Sequence, residues 1–385
     1  DSISMPQYDI YGNPLEMIDF SGLKRKYVWG GNGTYMQQSS IDGDLATQYE
    51  YRPLVGYFKI TTPSGTASDY AYTSGRLTSQ TIAGENVANY SYSQYGDNQV
   101  NKIVVSHPGV NGGAVSQVSR YDAFGNQLLS GISGGISGAS IVNIIEYDIF
   151  GRKLKEYFPI PAEGVDESIE TLAQSAPTAY SGDSQPFVKT AYNRGADTRE
   201  RSITLGGSEF ASHPMQFSYR FNTETGDINS CRRYRISGNT LHLDGNYTAG
   251  TLEIRESTDG DGRKVLQFTD FSGKTILTRA VSDEGNADTY SVYDDAGNLV
   301  LVLPPLATES LSAVGASYNI STNEALLGYA DYYRYDERQL LVEQRMGGTE
   351  PIYYHHDKAG RVIFTQDGEQ RARGVMGFAI NDIYG

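Results

Sequence analysis

The chain has 385 residues, with 46 acidic against 31 basic side chains, a formal net charge of −15 and one cysteine, Cys231. That balance argues against nucleic acid as a direct partner, because binding phosphate takes clustered Lys and Arg, and a lone cysteine excludes an intrachain disulfide while leaving the compartment open. With 43 Gly, 30 Tyr and 38 % hydrophobic residues, the composition suits many short strands joined by tight turns and is too apolar for a disordered chain.

The first predicted element is a hairpin at Tyr8, Asp9, Gly12 and Asn13. Asp at the first position of a type I turn bonds backbone N–H groups further along, and Gly three residues later takes the left-handed conformation from which a return strand starts. Tyr ends the incoming strand, where a half-buried ring with a wet hydroxyl suits a pleated surface. A decayed copy at Ile18, Asp19 and Gly22 follows, then apolar strands from Tyr27 to Gly30 and from Leu54 to Ile60. Residues 62–120 read as strand and turn, with looser punctuation from Thr73 to Arg76.

The motif returns at Tyr121, Asp122, Gly125 and Asn126, after which Gly131 to Gly138 reads as a flexible loop. A third full copy is Tyr147, Asp148, Gly151 and Arg152, with strand-like text on both sides. Asp166 is placed as the cap of a helix running to about Ser175, and residues 175–260 are the least regular part. From Val265 the hairpin grammar resumes, with Thr269, Asp270, Gly273 and Lys274 as a decayed copy and Tyr293, Asp294, Gly297 and Asn298 as the fourth full one. After Pro304 and Pro305 a second helix is predicted, capped by Thr308 and closed by Gly315. Tyr335 and Asp336 carry Gln339 in place of Gly, and His356, Asp357, Gly360 and Arg361 carry His in place of Tyr. The chain stops at Asn381, Asp382 and Gly385, inside what reads as another copy, so it is expected to be a piece of something longer.

A motif recurring in this way marks a repeat architecture, and the expected fold is all-β: antiparallel hairpins in a long curling sheet, with one or two short helices. Three stretches are expected: repeats over 1–160, an irregular elaboration with a short helix over 161–264, and repeats again over 265–385. No apolar run approaches 18 residues, so membrane insertion is not expected, and the lack of a basic-then-apolar pattern in the first residues means little in a piece of a longer chain.

Chemical motifs give way to turn chemistry on inspection. Gly131 to Gly135 has nucleophile-elbow spacing without a following helix. Ser21 to Lys24 has serine–lysine spacing without companion motifs, and Gly273-Lys274-Thr275 lacks the leading glycine of a phosphate loop, since Phe268 stands there. Asp259, Asp261 and Asp270 form a calcium candidate, although Arg263 and Lys264 exclude an EF-hand. Of the histidines His107, His213, His242, His355 and His356, only the last two are neighbours, and adjacent strand residues face opposite ways. No catalytic residue, cofactor or metal is assigned. An enzyme acting on polysaccharide would need two carboxylates facing one aromatic groove.

On the four full motif copies, with Tyr8 to Gly30, Tyr147 to Pro161, Asp288 to Leu299 and Tyr332 to Gly368, the chain resembles the RHS or tyrosine-aspartate repeat family, and in particular large Bacteroidetes members. The resemblance implies a sheet that spirals into a hollow shell or cocoon. It implies a C-terminal toxin or effector of the same parent chain as enclosed cargo, secretion machinery as a further partner, and a place outside the cell or on its surface. Type IX export follows from the Bacteroidetes likeness, with type VI and related routes as alternatives. The family's aspartyl self-cleavage depends on an Asp-Pro motif, which this chain lacks, so cleavage is not assigned. The alternative reading is a surface adhesion protein that binds glycans or proteins.

Overall fold

A computed structural model of the chain describes residues 7–18, 24–41, 45–95, 100–109, 113–134, 140–194, 198–357 and 360–379. The fold is all-β and antiparallel, in two compact units, Asp1–Ser212 and His213–Gly385. The division falls inside the stretch read from sequence as irregular, which holds regular strands such as Phe187–Tyr192, Met215–Phe221 and Glu253–Thr258. The calcium candidate's turn, the copy at Asp270 and three of the four helices belong to the second unit.

The first unit is a meander. From Gln7–Tyr8 to Ser140–Tyr147 each strand pairs with the next, so successive connections alternate between the two edges of the sheet. Strand Ser140–Tyr147 then serves two partners, its first residues pairing with Ile160–Ala162 and its last with Lys153–Tyr157. Between residues 7 and 108 only Ser40 and Ala88 are buried among the described residues, which makes that stretch a single layer wetted on both faces. Tyrosines shelter it from one another's sides, with Tyr35 stacked on Tyr51 at 4.4 Å and Tyr57 edge-on to Tyr51 at 5.3 Å.

Helix α1, Ile169–Ala179, gives this unit its core. Leu172 and Ala176, one turn apart on its inner face, close over Val118, Leu129, Val142, Ile144, Tyr157 and Ile160. Its cap is Ser168, whose hydroxyl accepts from the Thr171 N–H at 3.0 Å, and not Asp166, which pairs with Lys102. The expected loop at Gly131 to Gly138 is strand as far as Gly134, the rest lying outside the described residues. Glycine at 131 answers a close approach, since a Cβ there would sit 2.7 Å from the Val142 side chain.

In the second unit, Met215–Phe221 pairs with Glu253–Thr258, and the ladder runs on through Lys264–Thr269, Thr275–Ser282, Gly285–Tyr293, Leu299–Leu303, Asp331–Tyr335, Leu341–Arg345, Ile352–His356 and Val362–Gln366. A small sheet of Arg232–Ser237, Thr240–Asn246 and Ser317–Asn319 lies on one face. Between them Tyr234, Leu241 and Leu243 meet Leu266, Phe268, Leu277, Tyr290, Leu301 and Leu303 in the larger core. Three short helices follow: α2, Pro305–Ser310; α3, Glu324–Tyr329; and α4, Gly368–Arg373. Thr308 lies inside α2 instead of capping it, and the Gly315 N–H bonds to Leu243. Helices α3 and α4, capped by Asn323 and by an Asp367–Gln370 capping box, extend the expected one or two helices to four. No helix among the described residues is long and apolar enough to cross a membrane.

Candidate functional site

The chemistry of this chain is concentrated in its turns. Among the described residues one turn geometry recurs with aspartate at Asp9, Asp122, Asp148, Asp259, Asp270, Asp294, Asp336 and Asp357. In each, the Asp N–H donates to the carbonyl four residues on and the N–H three residues on donates back to the Asp carbonyl, at 2.9–3.2 Å. The carboxylate closes the loop. At Asp122, Oδ1 accepts from the N–H groups of Phe124 and Asn126, both at 2.8 Å, and Oδ2 from the Asn126 side chain at 2.8 Å. At Asp148 and Asp357 an arginine replaces that asparagine, Arg152 Nε donating at 2.7 Å and Arg361 Nε at 2.8 Å. Gly12, Gly125, Gly151, Gly262, Gly273, Gly297 and Gly360 all hold φ between 78° and 90°.

Gln339 is the exception, with φ of 62°. A side chain in the left-handed region costs roughly 1–2 kcal/mol, against the roughly 0.5–1 kcal/mol that glycine loses in chain entropy. Gln339→Gly is therefore expected to stabilise the second unit by about 0.5 kcal/mol, read as a higher urea midpoint. A lower midpoint would contradict the turn assignment.

Asp9, Asp122, Asp148, Asp270 and Asp336 feel two opposed influences. Desolvation raises each carboxyl, and the turn hydrogen bonds outweigh it, holding all of them below the ordinary value of 3.8. A depressed folded-state pKa means the unfolded chain takes up protons first as pH falls. The stabilisation is therefore whole above about pH 4 and lost progressively below it. Urea midpoints are expected to stay level between about pH 7 and about pH 5 and to fall at about pH 3.

The motif tyrosine does a second job. Tyr147 donates its hydroxyl to the carbonyl of Gln127 at 3.0 Å, and Tyr293 donates to that of Thr275 at 3.2 Å. Gln127 and Thr275 are each the first residue after the preceding turn, so Tyr147 and Tyr293 each clip their hairpin to the one before. Trp29 does the same with its ring nitrogen, to Pro14 at 2.8 Å. The turns also touch directly: Asn13 donates to the Gly33 carbonyl at 2.8 Å and Arg338 to that of Asp357 at 3.1 Å. Tyr8, Asp9 and Gly12, Tyr121, Asp122 and Gly125, and Tyr147, Asp148 and Gly151 lie at one edge of the first unit's sheet. Asp270, Tyr293, Asp294 and Gly297, Asp336, and Asp357 and Gly360 lie at one edge of the second unit's, because an even number of strands separates them.

The calcium candidate does not survive the geometry. Asp259 Oδ1 accepts from the N–H groups of Asp261 at 3.0 Å and Arg263 at 2.8 Å, which makes Thr258, Asp259, Gly262 and Arg263 another copy of the repeat turn. Asp270 stands at the far end of the six-residue strand Lys264–Thr269, about 20 Å away, so it cannot share an ion with Asp259 and Asp261. Sequence reading missed this copy because Thr replaces Tyr and Asp261 mimics a ligand. Lys274, the phosphate-loop candidate, sets its amino group 5.2 Å from the Tyr293 ring. Asp19, Gly22, Asp382 and Ser21 to Leu23 lie outside the described residues.

Three buried arginines do work that the motif does not reveal. Arg279, 6 % exposed, grips Asp288 through Nε at 2.7 Å and Nη2 at 2.6 Å, and donates to the carbonyls of Ile228 and Ser230. Arg120 donates to Val165 and Glu167 ahead of α1, and Arg345 to Ile320 ahead of α3. Each holds down a segment laid across a sheet. In the second unit, a cleft of about 500 Å³ opens beneath the small sheet, lined in part by Asp294, Asp295 and tyrosines. Both carboxylate oxygens of Asp294 are engaged by Asn298, at 2.8 and 3.1 Å, so this carboxylate belongs to its turn.

No protein-family model matches the chain, and no curated protein matches it in sequence. Solved structures do. A crystal structure of TcdB2-TccC3 matches with a TM-score of 0.63 at 12 % identity, over 94 % of this chain and 19 % of its own. A structure of the Photorhabdus luminescens Tc holotoxin pore matches with a TM-score of 0.62 at 12 % identity, over 94 % and 21 %. TcdB2-TccC3 without its hypervariable C-terminal region gives 0.56 at 11 % identity, over 95 % and 22 %. The chain thus spans about a fifth of the length of these structures, and at this identity the likeness is one of fold.

Proposed function

We propose that this chain is a stretch of wall from an exported RHS or tyrosine-aspartate repeat protein of Bacteroidetes type. In this reading the wall encloses and shields a toxin or effector domain of the same parent chain during secretion and delivery. The observation that carries the reading is the clip: a motif whose Asp and Gly close a hairpin and whose Tyr, at Tyr147 and Tyr293, ties it to its neighbour is built to extend a wall and has little left for catalysis. The fold likeness to structures of a Tc holotoxin supports it, as does the hypervariable C-terminal region named for one of them. The role is non-catalytic, the place is outside the cell or on its surface, and type IX export is the route that fits the Bacteroidetes resemblance.

The test is protease protection of the parent protein. A domain following the repeats is expected to resist trypsin in the intact protein and to be cut once Arg279→Ala loosens the wall. Equal cleavage in both would end the enclosure reading.

A further inference from the structure

The cleft of the second unit has features that the turns do not explain. It lies between the tip of the Arg232–Ser237 and Thr240–Asn246 hairpin and the strands Leu299–Leu303 and Asp331–Tyr335, and its volume, about 500 Å³, is that of a small-molecule site. Arg235 and Arg334 both line it. Each is oriented through Nε alone, Arg235 by Asp244 at 2.9 Å and Arg334 by Glu343 at 2.9 Å, and the terminal amino groups of both make no hydrogen bond among the described residues. A guanidinium steadied at Nε with its terminal nitrogens unspent is arranged to receive a carboxylate or another planar oxyanion.

The rest of the lining narrows the ligand. Asp295, exposed and without a hydrogen bond among the described residues, adds a negative charge at the same cleft, which disfavours a small dense anion such as phosphate. It suits a ligand that offers hydroxyl donors some distance from its acidic group. Tyr335 is a motif tyrosine, yet unlike Tyr147 and Tyr293 its hydroxyl makes no clip among the described residues, and it lines the cleft with Tyr332. Their rings offer apolar walls, and their hydroxyls offer further polar contacts. A carboxylate, several hydroxyls and an apolar ring face occur together in an acidic sugar.

We propose that this cleft binds an acidic saccharide, with its carboxylate on Arg235 and Arg334 and its ring hydroxyls on Asp295 and Tyr335. The proposal concerns a ligand held by the wall itself and does not depend on what the wall encloses, so a failure here leaves the protease-protection result standing.

The experiment uses the full chain on an array of uronic-acid and sialic-acid glycans beside their neutral counterparts. Acidic glycans are expected to be retained at least about tenfold better than neutral ones, and the double variant Arg235→Gln/Arg334→Gln to lose at least about tenfold of that binding. Both side chains are about half exposed, 46 % and 52 %, so the fold tolerates their change, and an unaltered circular dichroism spectrum checks this. Ser237→Trp, which fills the cleft without removing a charge, is expected to abolish binding as well. An array on which acidic glycans do no better than neutral ones, or binding that survives either variant, overturns the proposal. So does inorganic phosphate binding as tightly as the sugars in calorimetry.

Discussion

Arg279→Ala is expected to destabilise the second unit by about 3–5 kcal/mol, because it removes one partner of a buried ion pair and leaves the other charged and unpaired. The guanidinium is 6 % exposed, meets Asp288 at 2.6 and 2.7 Å, and lies 5.5 Å from the Phe268 ring. Burial pushes the Arg279 pKa down, and the Asp288 carboxylate more than restores it, so the guanidinium stays charged. The carbonyls of Ile228 and Ser230, which Arg279 holds at 2.7 and 3.0 Å, would lose their donor as well. Arg279→Met/Asp288→Leu, which removes both charges and keeps apolar volume, is expected to recover most of the loss. Hydrogen exchange in Thr275–Ser282 and Gly285–Tyr293 is the fitting measurement, since the single tryptophan, Trp29, reports on the other unit. A loss below about 1 kcal/mol would mean that the pair is a surface ornament.

The second large effect is expected at Leu172, which is fully buried where α1 meets the sheet. Leu172→Ala removes the side chain that seals Val118, Leu129, Val142, Ile144 and Ile160 from water, and a cost of about 2–5 kcal/mol follows from lost transfer energy and the cavity left behind. The helix has only Ala176 as a second buried anchor, so the loss should appear first as exchange of the α1 amides, while the single-layered strands before residue 108 keep their protection. Uniform loss across the whole unit would show instead that helix and sheet fold as one.

What the sequence made legible was the turn. Asp and Gly at fixed spacing have local consequences, and the strands between copies followed from them, down to decayed members such as Asp336 and Asp357. What it hid was non-local. Nothing in Tyr147 or Tyr293 announces that the hydroxyl will find a main-chain carbonyl 18–20 residues earlier, because the partner is not a side chain. The strand Ser317–Asn319 pairs with Thr240–Asn246 across more than 70 residues, beyond the reach of any periodicity. Helix α4 was readable, its Asp367 and Gln370 forming a capping box, but the helix spans only six residues. The cleft was invisible for the same reason as the small sheet that roofs it.

Because the rings of Tyr147, Tyr293 and Trp29 reach for main chain and not for a particular neighbouring side chain, the join they make between hairpins carries no lock-and-key code. Whole hairpins can be inserted, deleted or allowed to drift in evolution without rewriting the adjoining ones, provided that each brings its own bend and its own aromatic hook. Trp29, which makes the same reach as the tyrosines with a different ring, shows that the hook tolerates a change of aromatic side chain.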